Sequence, residues 1–491
     1  MSDNPPSNEP NQTRAASASS LSVSPGPAIL VIFGVTGDLS KRYLMPALYR
    51  LFRDNLLDDK TQIIGVSRRT IDLEDLFDKV EMCVSEADNI CDPVVMARMH
   101  SRTRVHQLDM DSTDAFKSLR TLLDDIEAEQ GVCMDRLYYL SIPPTAYNSV
   151  IGHMGEAGLQ EACKHDSGQA RLLVEKPFGS DLASAETLVK ETADVFSEEQ
   201  IFRIDHYLAK ETAQNILAFR FQNPIFEPIW NNQHVNHIDI IAAEQIGIEG
   251  RIEFYEHQGA LRDFIQNHLL QLLAITTMDR PDHLDSQSIH EHKLALLQSV
   301  RPIERGQVAN QTLRGQYEGY REEVDNAGSN VETFASITTS IDNDRWRNVP
   351  ITITTGKALD VKSTTITMTF KEQWTNFANS LRFRMQPNEG IGIDLQVKKP
   401  GFEQELQTVT MDFAYEQNFE SLKQQPSAYE RVILDAIRGD RTLFASSDEV
   451  LASWRVIDAV VSAWAHDDEG LVMYPQGSSM QAVFDKAKSA S

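Results

Sequence analysis

Nowhere in this chain does an apolar run reach the length that a bilayer crossing needs, so a membrane-spanning helix is excluded and a soluble, cytoplasmic protein is the expectation. Cysteine is scarce. Cys83, Cys91, Cys133 and Cys163 include no C-x-x-C pair, which rules out a zinc ribbon, fits a reducing compartment and reads as four buried hydrophobes. No metal site is expected. Basic residues are also short, with 46 Lys and Arg against 72 Asp and Glu and a formal net charge of −26, a field that repels nucleic acid and anionic lipid. An anionic small molecule must therefore find a local cluster of cations. The first 27 residues lack any apolar core, any h-region and all but one arginine, Arg14, so they read as a disordered tail, not a targeting segment.

What is present is enough for two domains: 491 residues, 41% of them hydrophobic. Over residues 28–202, short apolar runs such as "AILVIFG", "QIIGVSR", "DRLYYLSIPP" and "RLLVEKPFG" alternate with helical patterns. That alternation predicts an α/β Rossmann-like dinucleotide-binding domain with its ligand at the carboxyl ends of parallel strands. Over residues 203–491 the period changes to two in "HVNHIDIIAAE", "VPITITTGKA", "TTITMTF", "SLRFRMQ", "GIDLQV" and "TVTMDFAY". This predicts a larger α+β domain with a mainly antiparallel sheet, with helices such as "IHEHKLALLQSV" packed on one face. No internal repeat is visible.

The first strand candidate runs into "GVTGDL" at 34–39, where the glycines depart from G-x-G-x-x-G. A strand ending at Phe33, a tight turn and a helix starting near Asp38 would aim free N–H groups at an anion, although an ordinary strand-to-helix turn has the same spacing. After "IIGV" the chain carries Ser67, Arg68 and Arg69 where an NAD site has an acid, and an arginine there suits a ribose 2′-phosphate. NADP is favoured over NAD, with a solvated Arg pair as the alternative.

In "RIDHYLAKE" at 203–211, a helix would put His206, Tyr207 and Lys210 on one face, a surface suited to a phosphate dianion. Taken alone, a spacing of this kind is better read as a solvated helix face. His268 lies on a stripe with Ile265, Leu269 and Leu272, the pattern of a hydrogen-bonded core histidine.

These two segments and "VEKPFG" at 174–179 stand in the order of the signature segments of the glucose-6-phosphate dehydrogenase family, which the chain resembles to about residue 465. "GVTGDL", "FYEHQG", "TTGKAL", "MQPNEG" and "AYERVILDAIRGDRTLF" continue the resemblance. Two departures stand out: Ala209 where the family usually has Gly, and Val35-Thr36 where it has a small pair. The resemblance implies oxidation of β-D-glucose 6-phosphate at C1 with reduction of NADP. It makes His268 the general base and Asp205 its partner. It assigns Lys176, His206, Tyr207, Lys210, Glu244, Asp263, Lys357, Lys362 and Gln386 to the sugar phosphate, and Gly34, Gly37, Asp38, Leu39, Arg68, Tyr139 and again Lys176 to the cofactor. A homodimer or homotetramer is expected. Some animal members hold a second, structural NADP with aromatic residues of the tail; here only Phe484 follows Tyr474, so none is expected. Another NAD(P)-dependent sugar oxidoreductase, or a catalytically silent NADP-binding regulator on the same scaffold, is the alternative.

Overall fold

The structure, a computed structural model, describes residues 25–88, 91–163, 168–372, 376–418, 426–466 and 470–490. The expected tail therefore lies outside the described residues, apart from its last three. Six strands come first: β1 (Ala28–Phe33), β2 (Gln62–Ser67), β3 (Thr103–Gln107), β4 (Asp135–Leu140), β5 (Ala170–Val174) and β6 (Ile201–Ile204). Every side chain of β1 and β2 is buried, as expected of strands covered by helices on both faces. Eight strands then follow: β7 (Val235–Ala243), β8 (Thr312–Tyr317), β9 (Phe334–Thr339), β10 (Ile351–Gly356), β11 (Ser363–Phe370), β12 (Ser380–Gln386), β13 (Gly390–Lys398) and β14 (Leu406–Ala414). Two short ones, β15 (Phe444–Ala445) and β16 (Leu471–Tyr474), complete the set.

The first sheet runs β15-β6-β5-β4-β1-β2-β3 and is parallel except where β15 pairs with β6. Its order from β3 to β6 is that of a dinucleotide-binding sheet, with the topological switch between β1 and β4. Residues far along the chain complete this layer: Val432, Ile433, Ala436 and Phe444 join its core. The expected division at 202/203 falls inside β6.

The second sheet runs β14-β13-β12-β11-β7-β10-β9-β8-β16. Six of its eight junctions are antiparallel; β7 with β10 and β8 with β16 are parallel. One buried cluster links the two sheets through Phe264, Ile265 and Leu269 of the segment Leu261–Leu269, which is wound as a π-helix.

Cys133 and Cys163, read above as isolated hydrophobes, form a disulfide with their Cα atoms 5.6 Å apart. Thirty residues separate them in sequence, and pairing of β4 with β5 folds that connection back on itself. Cys91 is half-buried against the core, and the side chain of Cys83 lies outside those described. Among the described residues no helix is long and apolar enough to cross a membrane.

Candidate active site

At the switch point the turn after β1 is held from two sides. The N–H groups of Gly34 and Val35 donate to Val66 O at 3.0 and 3.3 Å, and Gly37 N donates to Gly34 O at 2.9 Å. Gly34 has φ of +80°, and a Cβ there would lie 2.3 Å from Ser141 O beyond β4, so only glycine fits. The unusual Val35 is accommodated because Gly65 of β2 leaves it room, with its methyls about 3 Å from where a Gly65 Cβ would stand. The helix begins at Asp38, and the N–H groups of its first turn have no helical acceptor. Arg68 is exposed just past the end of β2. A cradle only glycine can line and a helix N-terminus at the switch point together fit a dinucleotide.

Tyr139 lies on β4, two residues before Ser141, whose carbonyl faces Gly34. It is fully buried on β4, and its hydroxyl donates to Glu175 Oε1 at 2.5 Å. Burial raises the Glu175 carboxyl to about 7, and the Tyr139 hydrogen bond only partly offsets that. Glu175 is the residue that sequence reasoning passed over in "EKP"; the available signal was an acid directly after the apolar run "RLLV".

Asp205 follows β6, and His268 sits in the last turn of the π-helix. His268 Nδ1 donates to Asp205 Oδ1 at 2.6 Å, and Tyr207 N donates to the same oxygen at 2.9 Å. Both side chains are nearly inaccessible, at 1% and 4%. Burial alone would raise the Asp205 carboxyl, but the His268 charge and hydrogen bond hold it well below the usual carboxylate range. Burial pushes His268 down, and Asp205 pulls it back only in part. The ring is therefore ready to accept a proton, with Nδ1 occupied and Nε2 making no hydrogen bond to the protein.

The π-helix also decides what stands beside that base. Its i→i+5 winding brings residues five apart onto one side, so Asp263 and His268 interact. Lys176 Nζ, beyond β5, donates to Asp263 Oδ1 at 2.8 Å and to Asp263 O at 3.0 Å. Burial would raise Asp263, yet the ammonium groups of Lys176 and Lys357 hold it at about 2. Lys357 follows β10 and pairs with Glu244 at the end of β7. The Phe264 ring lies between the two ammoniums, 5.5 Å from Lys176 Nζ and 5.7 Å from Lys357 Nζ.

The predicted helix over "RIDHYLAKE" is not present. Residues 206–209 form a turn, and the helix starts at Glu211 with Lys210 extended before it. Asp205 needs its side chain for Tyr207 N and His268, and those bonds set the turn. The three side chains still meet: Lys210 Nζ lies 4.2 Å from the Tyr207 ring centre, and the His206 ring is 4.5 Å from that of His268. Lys210 Nζ donates to Gln386 Oε1 at 2.7 Å, and Gln386 Nε2 donates to Thr364 Oγ1 at 3.0 Å, which adds Thr364 to this wall. Lys362 is exposed, and its charge is felt at Lys210. Ala209 does not adopt positive φ, so alanine costs nothing there. The Lys176–Pro177 peptide is cis.

Two family models match the chain. "Glucose-6-phosphate dehydrogenase, NAD binding domain" covers residues 31–215, and "Glucose-6-phosphate dehydrogenase, C-terminal domain" covers residues 217–488. A glucose-6-phosphate 1-dehydrogenase of Borreliella burgdorferi is 37% identical over 457 residues, which cover 89% of this chain and 92% of that protein. Its counterpart in Bacillus subtilis is 37% identical over 473 residues, covering 92% and 94%. Among solved structures, a glucose-6-phosphate dehydrogenase in complex with its substrate glucose-6-phosphate superposes with a TM-score of 0.86 at 32% identity, over 96% of this chain and 99% of that one. A glucose-6-phosphate 1-dehydrogenase from Mycobacterium avium gives 0.80 at 30% identity, over 94% and 97%.

Proposed function

The chain belongs to the glucose-6-phosphate dehydrogenase family, and from that premise we propose how its own residues oxidise D-glucose 6-phosphate at C1 to 6-phospho-D-glucono-1,5-lactone, the first oxidative step of the pentose phosphate pathway. The observation that carries the reading is the His268–Asp205 pair with Nε2 unclaimed. His268 Nε2 takes the proton of the C1 hydroxyl. Asp205 holds the tautomer and stabilises the imidazolium that forms. Lys210, Tyr207 and His206 receive the phosphate, and Lys362 adds charge from the rim. Lys176, Asp263, Lys357, Glu244 and Gln386 orient the sugar ring, since their mutual ion pairs and hydrogen bonds hold each donor in place before substrate arrives.

Gly34, Gly37, Asp38 and Leu39 would hold the pyrophosphate at the helix start, Arg68 would meet the 2′-phosphate of NADP, and Lys176 would serve both cofactor and sugar. A nicotinamide bound there supplies the hydride acceptor. Tyr139, buried on β4 and hydrogen-bonded to Glu175, would complete the cofactor side of the site. We read the chain as a cytoplasmic homodimer or homotetramer; Leu406, Val409 and Met411, exposed on β14, support self-association.

Two substitutions test the reading by the absorbance of the reduced nicotinamide. His268→Asn should keep cofactor and sugar-phosphate binding and lose about 10²–10⁴-fold in kcat. Turnover within a few-fold of the parent enzyme would remove His268 as the base. Arg68→Ala should raise KM for NADP and leave KM for NAD nearly unchanged; equal losses would mean that Arg68 serves the shared part of the two cofactors.

A further inference from the structure

Against the His268–Asp205 pair lies a small space that both residues line. Ile204, Phe178, Ala445 and Val450 supply its apolar wall, and Lys176, Gln266, Asn267 and His268 line it together with Asp205, Gln271 and Ser453. These last three residues are 3%, 2% and 1% exposed. Asp205 Oδ2, Gln271 Oε1 and Ser453 Oγ are buried and make no hydrogen bond to any protein group. The asymmetry at Asp205 matters most. Both of its hydrogen bonds, from His268 Nδ1 and Tyr207 N, go to Oδ1, so the other oxygen of a buried, ionised carboxylate is left unmatched. An unmatched buried oxygen of that kind costs more than almost any other polar defect. The cavity offers about 10 Å³ to the centre of a water, which is room for one molecule and no larger ligand.

We propose that one buried water bridges Asp205 Oδ2, Gln271 Oε1 and Ser453 Oγ as a permanent part of the base assembly, which makes Ser453 and Gln271 positioning residues for the reaction. The bonds close. The water donates one proton to Asp205 Oδ2 and one to Gln271 Oε1, and it accepts the Ser453 hydroxyl proton, giving the three bonds usual for a buried water. Its effect on chemistry follows from charge. A carboxylate that accepts a hydrogen bond on its far oxygen pulls less strongly on the imidazole proton. The water thus keeps His268 deprotonated and ready while it anchors the carboxylate plane. Lys176, His206, Tyr207 and Asp263 also face the ring, Lys357 acts on it through Asp263, and Glu175 acts on Asp205. All six are left in place by the test.

The proposal rests on His268 being the base, and the experiment separates the two. The pH profile of kcat/KM is measured for the holoenzyme and for Ser453→Ala, Ser453→Thr, Gln271→Met and the Ala/Met double variant. With the water bridging as stated, Ser453→Ala and Gln271→Met each move the acid limb up by about half a pH unit and lower kcat by about 3- to 10-fold, with KM for glucose 6-phosphate unchanged. Ser453→Thr keeps the hydroxyl and stays near the parent profile. The double variant moves no further than the larger single one, because both lose the same molecule. An acid limb that stays put in Ser453→Ala, a threonine variant that behaves like alanine, or shifts that simply add would each overturn the proposal. If His268→Asn is inactive while Ser453→Ala keeps the parent profile, the water fails and the base stands; an active His268→Asn removes both.

Discussion

At the scale of single residues, Lys210 carries the sharpest consequence. Burial lowers its ammonium to about 8, Glu389 working against that and Lys362 with it. Only the protonated form attracts a phosphate dianion, so affinity for glucose 6-phosphate is present below that value and lost as pH rises through it. The kcat/KM profile should show a basic limb near pH 8 that disappears in Lys210→Ala. A hydrogen bond to a charged group contributes roughly 1.5–3 kcal/mol, so the same substitution should raise KM for glucose 6-phosphate by about 10- to 150-fold. Free glucose should be almost unaffected. A loss shared equally by both sugars would mean that Lys210 does not read the phosphate.

Among elements, the helix Ala428–Arg438 shows how far the first sheet depends on distant sequence. It opens with a capping box between Ser427 and Glu430 and buries Val432, Ile433, Ala436 and Ile437. Asp435 is buried on it as well, and burial raises its carboxyl to about 7 despite Arg431. An acid whose folded pKa stands above its unfolded value of about 3.9 binds its proton more tightly when folded. Its contribution to stability is therefore complete below that lower value and lost as pH climbs through 7. Asp435→Asn should raise Tm by about 2 °C or more at pH 8, and by less at pH 5, in a thermal scan. A larger gain at the acid end would show that this carboxyl is stabilised as the anion. The π-helix makes the same point about period. Its sequence pattern shows an apolar stripe, but the i→i+5 winding that sets Asp263 beside His268 leaves no mark in an apolar spacing.

For the whole molecule, the net charge of −26 opposes the approach of a dianion, and since Lys176 and Lys357 are paired with Asp263 and Glu244, the local attraction falls to the ammoniums of Lys210 and Lys362. The attraction acts over short distances inside a partly closed site, whereas the general repulsion acts through solvent. Added salt, with a screening length near 10 Å at 0.1 M, should raise KM for glucose 6-phosphate in the parent enzyme and raise it less in Lys210→Ala. Parallel salt dependences would show that the bulk charge, and not these ammoniums, controls binding.

Much of this was legible along the chain. Buried hexapeptides such as "AILVIF" have one stable use, and Gly34 was readable as a turn because no other residue tolerates its φ. His268 read as a core histidine from its own stripe, and its pairing with Asp205 was expected only from the family resemblance. Other features had no local signal. β3, "TRVHQ", sits at a sheet edge and is half solvated, so it carries no hydrophobic pattern, and β15 is only two residues long. The turn over 206–209 replaced a helix because Asp205 spends its oxygen on Tyr207 N and on a histidine 63 residues away. Cys133 and Cys163 met only when β4 and β5 paired. Ser453 reached the back of Asp205 from a helix 248 positions later in the chain, as the packing of the two sheets brought Phe178 against Trp454. Residue chemistry and local period are written into the order of amino acids; which oxygen of Asp205 is used, and what waits behind the other, depends on contacts between segments that only the folded chain brings within a bond length.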